Sequence, residues 1–250
     1  MKTNDSHINR FVTTSFRDVA DKDYIAARIC YRYGLHHQFL WFGQQAVEKY
    51  LKAILLYNRV DTRSLGHALT RAYSDVIAIP DIDFDFPPDV REFVEYLDDQ
   101  GTNRYLEYPY YLTDETGLAL DRAVWHIRRY CSYLRRTRED SNGVEVSRLP
   151  LELAHLQSAA TLAHPNKFSL FGGYLEDVLR DKKSGLRKQL VWKNFYYGTY
   201  QKQVIYNYPI HSLVGNPTHY MHPEVFDELS ELVKFSKDVK EHFRQERHGR

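Results

Sequence analysis

The apolar positions of this chain recur at helical intervals over most of its length. Between Arg17 and Leu35, Val19, Ile25, Ile29 and Tyr33 share one side of a helix, with Asp18, Asp21 and Asp23 near the end where the helix dipole favours negative charge. After a corner at Gly34 to His37, the residues Phe39, Phe42, Ala46, Val47, Tyr50, Ala53 and Ile54 form a broad apolar stripe ending near Asn58, the strongest helical signal in the chain. A third helix is predicted over residues 65–79, with Leu69, Ala72, Tyr73 and Val76 on one face and Pro80 as its stop. Pro87 and Pro88 followed by Asp89 start a fourth over 90–99, which Gly101 closes. Thr113 is the expected cap of a long helix in which Leu120, Val124, Ile127, Cys131 and Leu134 demand a packed partner.

The polar turn residues Ser141, Asn142 and Gly143 separate two long stretches of helical periodicity and divide the chain into a bundle over residues 1–140 and a C-terminal helical segment over 149–250. The second stretch reads as a short apolar helix (151–162), a loop with Gly172 and Gly173, a basic and aromatic helix (174–197), a tyrosine-rich irregular run to Tyr220, and a final helix from Pro223. Gln203 to Tyr208 is the nearest approach to strand alternation, and it is short. The expected class is all-α.

Composition narrows the function classes. The 34 Lys and Arg nearly cancel the 33 Asp and Glu, so affinity for a polyanion must come from a local patch rather than from net charge. Two cysteines, Cys30 and Cys131, each within a helical pattern, make neither a disulfide framework nor a thiolate metal site. Together with a polar N-terminus and no long apolar run, this points to a reducing, cytoplasmic setting without a membrane span. Tyrosine is abundant, 20 residues against two methionines, which favours amphipathic surfaces able to stack on bases. No phosphate-binding or dinucleotide-binding glycine motif occurs, so no cofactor is expected.

The run from Gln44 to Leu55, QQAVEKYLKAIL, resembles the second helix of the HEPN family, small helical domains associated with nucleotide and RNA binding. His67 and the pair Arg104-Tyr105, with Pro109 nearby, follow in the family's order. The resemblance covers residues 16–138 and implies a four- to five-helix bundle that dimerises with a second copy, with the C-terminal segment as an extension. It further implies nucleotide or RNA as ligand, and a nucleotidyltransferase partner in a toxin-antitoxin or defence setting.

Spacing places Gln45, Glu48, Lys49 and Lys52 on one stripe of the second helix, expected opposite its apolar face. This stripe reads either as a self-neutralising solvated surface or as a site where Lys49 and Lys52 meet phosphate and Gln45 positions a base or sugar. On that second reading the lysines are exposed and their loss hardly affects folding. His67, Arg104 and Tyr105 are candidate contacts too, although a helix-start histidine is commonly a cap. Some HEPN proteins are metal-independent ribonucleases with an Arg followed, after four to six residues, by a His. Arg122 and His126 sit in the corresponding helix with only three residues between them, so they are the catalytic candidates for a degenerate site, and binding without catalysis is the expectation. The alternatives are a ribonuclease and a non-catalytic helical scaffold.

Two basic features stay open on sequence alone. Arg122, His126, Arg129 and Arg136, flanked by Arg128 and Arg135, either track a phosphate backbone or are neutralised by the acidic run from Asp81 to Asp99. Lys182, Lys183, Arg187, Lys188 and Lys193, interleaved with Trp192, Phe195, Tyr196 and Tyr197, form a mixture suited to single-stranded RNA. His219 and His222 lack further ligands in reach, so no metal site is expected.

Overall fold

The computed structural model describes residues 3–101, 110–113, 115–165, 172–198, 212–214, 226–232, 235 and 237–248. These divide into two compact units: the larger takes residues 1–102 and 115–207, the smaller 103–114 and 208–250. The protein is mostly helical, as its periodicity predicts.

The larger unit begins with α1 (Thr3–Val12), which runs through one π-helical turn (Thr13–Arg17) into α2 (Asp18–Arg32). The helical start is thus earlier than the apolar pattern indicates, because α1 is a largely exposed, polar helix with Ile8 and Phe11 open to solvent. A corner at Gly34, whose positive φ needs a residue without Cβ, turns the chain into α3 (His36–Tyr57). α3 is the centre of the unit: it packs on α2, on α4 (Leu69–Ile77), on α5 (Pro88–Gly101) and on α6 (Glu115–Arg128). Accordingly Phe39, Leu40, Val47, Tyr50, Leu51, Ile54 and Leu55 are buried together with the polar Gln44 and Glu48.

α4 starts later than its apolar pattern suggests. Gly66, at positive φ, bends the chain before it, and Ala68 at the N-cap has no side chain to accept from the first amides. Asp98 of α5 does so instead, taking the N–H groups of Leu69 and Thr70, each at 2.9 Å, and the Thr70 hydroxyl at 2.7 Å. α6 also stops short of its apolar stripe. After Arg128 the chain tightens, with Tyr130 N–H donating to Ile127 O and Cys131 N–H to Arg128 O, and leaves the helix while Tyr130, Cys131 and Leu134 remain buried. Gly117 lets α6 lie against the Tyr31 ring, since a Cβ there would come within 2.6 Å of it.

The turn at Ser141, Asn142 and Gly143 joins two strands, β2 (Thr137–Glu139) and β3 (Glu145–Ser147), paired antiparallel with Arg138 opposite Val146. All six strand positions are exposed, which explains why no alternation marks them. Beyond the hairpin, the same unit continues through α7 (Leu149–Leu156), α8 (Ala159–Ala163), α9 (Tyr174–Arg180) and α10 (Gly185–Val191). Two helices predicted as continuous are each broken by a serine cap: Ser158 accepts from Thr161 N–H, and Ser184 from Leu186 N–H.

In the smaller unit β1 (Tyr110–Leu112) pairs antiparallel with β4 (Ser212–Val214), and α11 (Phe226–Leu232) is followed by α12 (Lys237–His248). Its described core is aromatic: Phe226 stacks on Phe243 with ring centroids 4.6 Å apart, and Phe235 lies 5.3 Å from Phe226. Arg104, Tyr105, the stretch Gln203 to Tyr208, and His219 and His222 lie outside the described residues.

Candidate functional site

The structure brings Gln45, Lys49, Lys52 and His67 into one polar cluster. Lys49 Nζ lies 2.8 Å from Asp23 Oδ2 on α2 and donates to Gln45 Oε1 at 2.9 Å, while Gln45 Nε2 donates to Gln44 Oε1 at 2.7 Å. Lys52 Nζ lies 2.7 Å from Glu48 Oε1 and donates to the Gly66 carbonyl at 2.6 Å. The other Glu48 oxygen sits 3.0 Å from His67 Nδ1. His67 is the open end of this chain, its side chain 60% exposed against 7% for Glu48.

The cluster corrects one expectation. The stripe is not a solvated face opposite the apolar one, because α3 is covered nearly all round and Glu48 is buried within the cluster. Each lysine already has a carboxylate. A phosphate arriving at Lys49 or Lys52 therefore competes with Asp23 or Glu48 for a charge that is already offset.

The cations around α6 are neutralised inside the molecule. Arg122 Nε is 2.8 Å from Asp89 Oδ2, Arg129 is 3.4 Å from Asp85 Oδ2, and Arg135 is 3.5 Å from Asp81 Oδ2. Arg129 is fully buried and also donates to the carbonyls of Asp85 and Leu156. Arg135 and Arg136 lie beyond the helix end, so they do not extend a helical stripe. The acidic run thus answers three of the six basic positions, while Arg128 is paired outside it and Arg136, among the described residues, donates only to the Tyr133 carbonyl. His126 is 8% exposed between these arginines. Burial first, then the charges of Arg129 and Arg122, push its imidazole down to about 3.

Two buried ion-pair networks were not legible as sites. Arg128 grips Asp21 with Nε at 2.6 Å and Nη2 at 2.8 Å, and its guanidinium also holds both oxygens of Glu176 on α9, at 2.8 and 2.7 Å. Tyr50 donates to Asp21 at 2.7 Å and Leu175 N–H at 3.0 Å. Burial alone would raise the Asp21 carboxyl, yet Arg128 and these hydrogen bonds outweigh it and hold it below the usual range. Two turns along, Arg28 Nη1 meets Asp121 at 2.7 Å and Tyr24 donates to the same carboxylate at 2.6 Å. This carboxylate receives a single arm of the guanidinium, and burial pushes it up to about 6. A signal for both networks exists: Asp and Arg seven residues apart on each of two helices, Asp21 with Arg28 and Asp121 with Arg128, which place both charges on one face.

A polar groove of about 990 Å³ opens beside the π-helical turn, lined by Asn9, Thr13, Arg17, Tyr57, Ser132, Arg136 and Glu145 among others. Thr13 Oγ1 and the Tyr57 hydroxyl, both in its lining, share a hydrogen bond of 2.6 Å. Arg17, its most buried cation, is turned onto Asp18 at 3.0 Å, and the lining carries both signs of charge. No group of three or more metal-ligating side chains converges among the described residues, and no described helix is long and apolar enough to cross a membrane. Both cysteines are free and buried.

Residues 14–139 match the family model of the HEPN domain. No curated protein and no solved structure matches the chain. The match takes in α2 to α6, the helix bearing the Gln44 to Leu55 run and the Arg122 and His126 pair. The chain belongs to the HEPN domain family.

Proposed function

We propose that this HEPN-family protein binds RNA or a nucleotide without cleaving RNA. The observation that carries the second half is the state of His126. A general base or acid must reach the ribose 2′-hydroxyl and titrate near the working pH. His126 is buried, and its pKa of about 3 makes it a poor base and leaves it unprotonated at neutral pH. Arg122, which would stabilise charge on the phosphate, lies 2.8 Å from Asp89, whose carboxylate offsets its charge.

Family membership supports the first half, a function tied to nucleotide or RNA. Within it, Gln45, Lys49, Lys52 and His67 are the proposed contacts for a nucleotide-sized ligand, with Arg104 and Tyr105 from the same family pattern. Binding there exchanges one carboxylate for one phosphate, a near-neutral trade that favours a small anion over a long polyanion. A homodimer, and a nucleotidyltransferase partner in a toxin-antitoxin or defence setting, complete the reading.

Incubation with end-labelled single-stranded RNA, followed by both a binding titration and a gel for cleavage, tests this. Saturable binding with intact RNA is the expected result. Cleavage abolished by His126→Ala would reverse the reading in favour of a ribonuclease, and absence of binding to ATP, GTP and RNA alike would leave a scaffold. Light scattering on the purified chain, expected at twice the protomer mass, tests the dimer.

A further inference from the structure

Most of the cations that sequence offered for phosphate contact are answered by a carboxylate, as the pairs on α3 and α6 show. One group is not. Lys182 and Lys183 in the turn before α10, Lys188 on it and Lys193 just after it are all exposed, and none has a described carboxylate within ion-pair distance. The nearby acids are engaged elsewhere: Asp177 pairs with Arg180 at 3.0 Å, Asp181 Oδ1 accepts the Lys183 backbone N–H at 3.0 Å, and Glu176 is buried on Arg128. α10 has seven residues, about 10 Å of helix, so these charges are gathered on a small area. The sequence continues the asymmetry, since no Asp or Glu occurs from Lys182 to Pro223.

The group also carries an aromatic platform. Trp192 is half-buried, with the guanidinium of exposed Arg32 at 5.1 Å and the Lys193 ammonium at 5.2 Å from its ring. Lys193 adopts a positive φ of 47°, a conformation unfavourable for a lysine, and the surroundings enforce it. On one side, buried Arg28 donates to the Trp192 carbonyl. On the other, buried Asn194 accepts from the N–H groups of Tyr196 and Tyr197, each at 2.9 Å, and donates to the Tyr24 hydroxyl at 2.8 Å. The second ion-pair network thus fixes the backbone on both sides of Lys193, and with it the position from which Trp192 projects.

We propose that this α10 face, Lys182, Lys183, Lys188 and Lys193 with Trp192 and Arg32, binds the backbone and a stacked base of single-stranded RNA. The inference rests on the RNA-binding reading above and assigns the polynucleotide to a surface apart from the α3 cluster. Uncompensated lysines release counterions when phosphates approach, whereas lysines already paired with carboxylates gain little. A base stacks here by displacing one of the two exposed cations that lie over the indole, which then meets the phosphate, and such stacking does not select sequence.

The test is a fluorescence-anisotropy titration of the full chain with labelled single-stranded oligouridine at several salt concentrations. It compares wild type, Lys182→Gln/Lys183→Gln/Lys188→Gln, and Lys49→Ala/Lys52→Ala. The exposed triple change should leave the thermal midpoint unaltered, weaken binding on the order of tenfold or more, and reduce the salt slope by about two, as expected for three lost phosphate contacts on a single strand. Wild-type affinity in the triple variant overturns the surface and leaves the RNA-binding reading standing. A wild type that binds no RNA overturns both. Equal affinity for a duplex overturns the single-strand assignment, and a wild type that prefers phosphatidylserine vesicles to RNA, losing them in the triple variant, transfers the face to an anionic lipid surface.

Discussion

Asp21 and Arg128 meet in a two-pronged ion pair, 2.6 and 2.8 Å, with both side chains no more than 2% exposed. Burying a charge pair is costly, and it is tolerated here because each nitrogen and oxygen of the pair has a partner: Glu176, Tyr50 and Leu175 N–H complete the network. The pair therefore does more than join α2 to α6. Through Glu176 it fastens α9 to the bundle.

Replacing Arg128 with Met strands two buried carboxylates, Asp21 and Glu176. Unfolding by denaturant should show a loss of about 3–5 kcal/mol. The triple change Asp21→Asn, Glu176→Gln, Arg128→Met removes the charges together and should recover part of that loss. A single-variant loss below about 1 kcal/mol would mean that the network does not hold the unit together.

α4 depends on a cap borrowed from another helix. Asp98→Ala exposes the amides of Leu69 and Thr70 and should lower stability by about 1–2 kcal/mol, with Asp98→Asn between it and wild type. Equal stability in all three would show that the first turn of α4 is satisfied without it.

Lys52 is not the expendable surface lysine that helix spacing suggests. Its partner Glu48 is 7% exposed, so Lys52→Ala leaves a buried carboxylate with weaker support from His67 and Gln44 and should cost about 1–2 kcal/mol. Lys49→Ala, whose pair with Asp23 is more open, should cost less than about 1 kcal/mol. Thermal melts of the two single variants decide the order.

Acid should destabilise the fold partly through His126. Its folded-state pKa is lowered to about 3, so between the unfolded value near 6.5 and that point only the unfolded chain takes up the proton. Stability is then lost as pH falls through this window. Asp21, lowered in the folded state, acts in the same direction at still lower pH, whereas Asp121, raised to about 6, opposes it. A His126→Gln variant removes one contribution and leaves the others. Between pH 7 and pH 5 the wild type should lose about 2 kcal/mol more than the variant by denaturant titration, and parallel pH curves would show that His126 is not held neutral.

The sequence by itself determined the helical class, the family helix from Gln44 to Leu55 and the approximate order of α2 to α6, because apolar residues at helical spacing are a local property that survives in one dimension. It also supplied the lysines of α10 and their aromatic neighbours. What it could not decide is which charges meet. Asp21 and Arg128 lie far apart along the chain, and nothing local distinguishes a carboxylate that pairs in the core from one that faces water. The exposed hairpin at residues 137–147 escaped because it leaves no apolar alternation, and the early end of α6 escaped because Cys131 and Leu134 keep the helical spacing and stay buried after the helix has stopped. Tertiary packing sorted the cations: it drew Lys49, Lys52, Arg122, Arg128 and Arg129 onto carboxylates and left Lys182, Lys183, Lys188 and Lys193 without one. The reason is desolvation, which makes a buried charge find a partner and leaves a solvated one free to wait for a ligand.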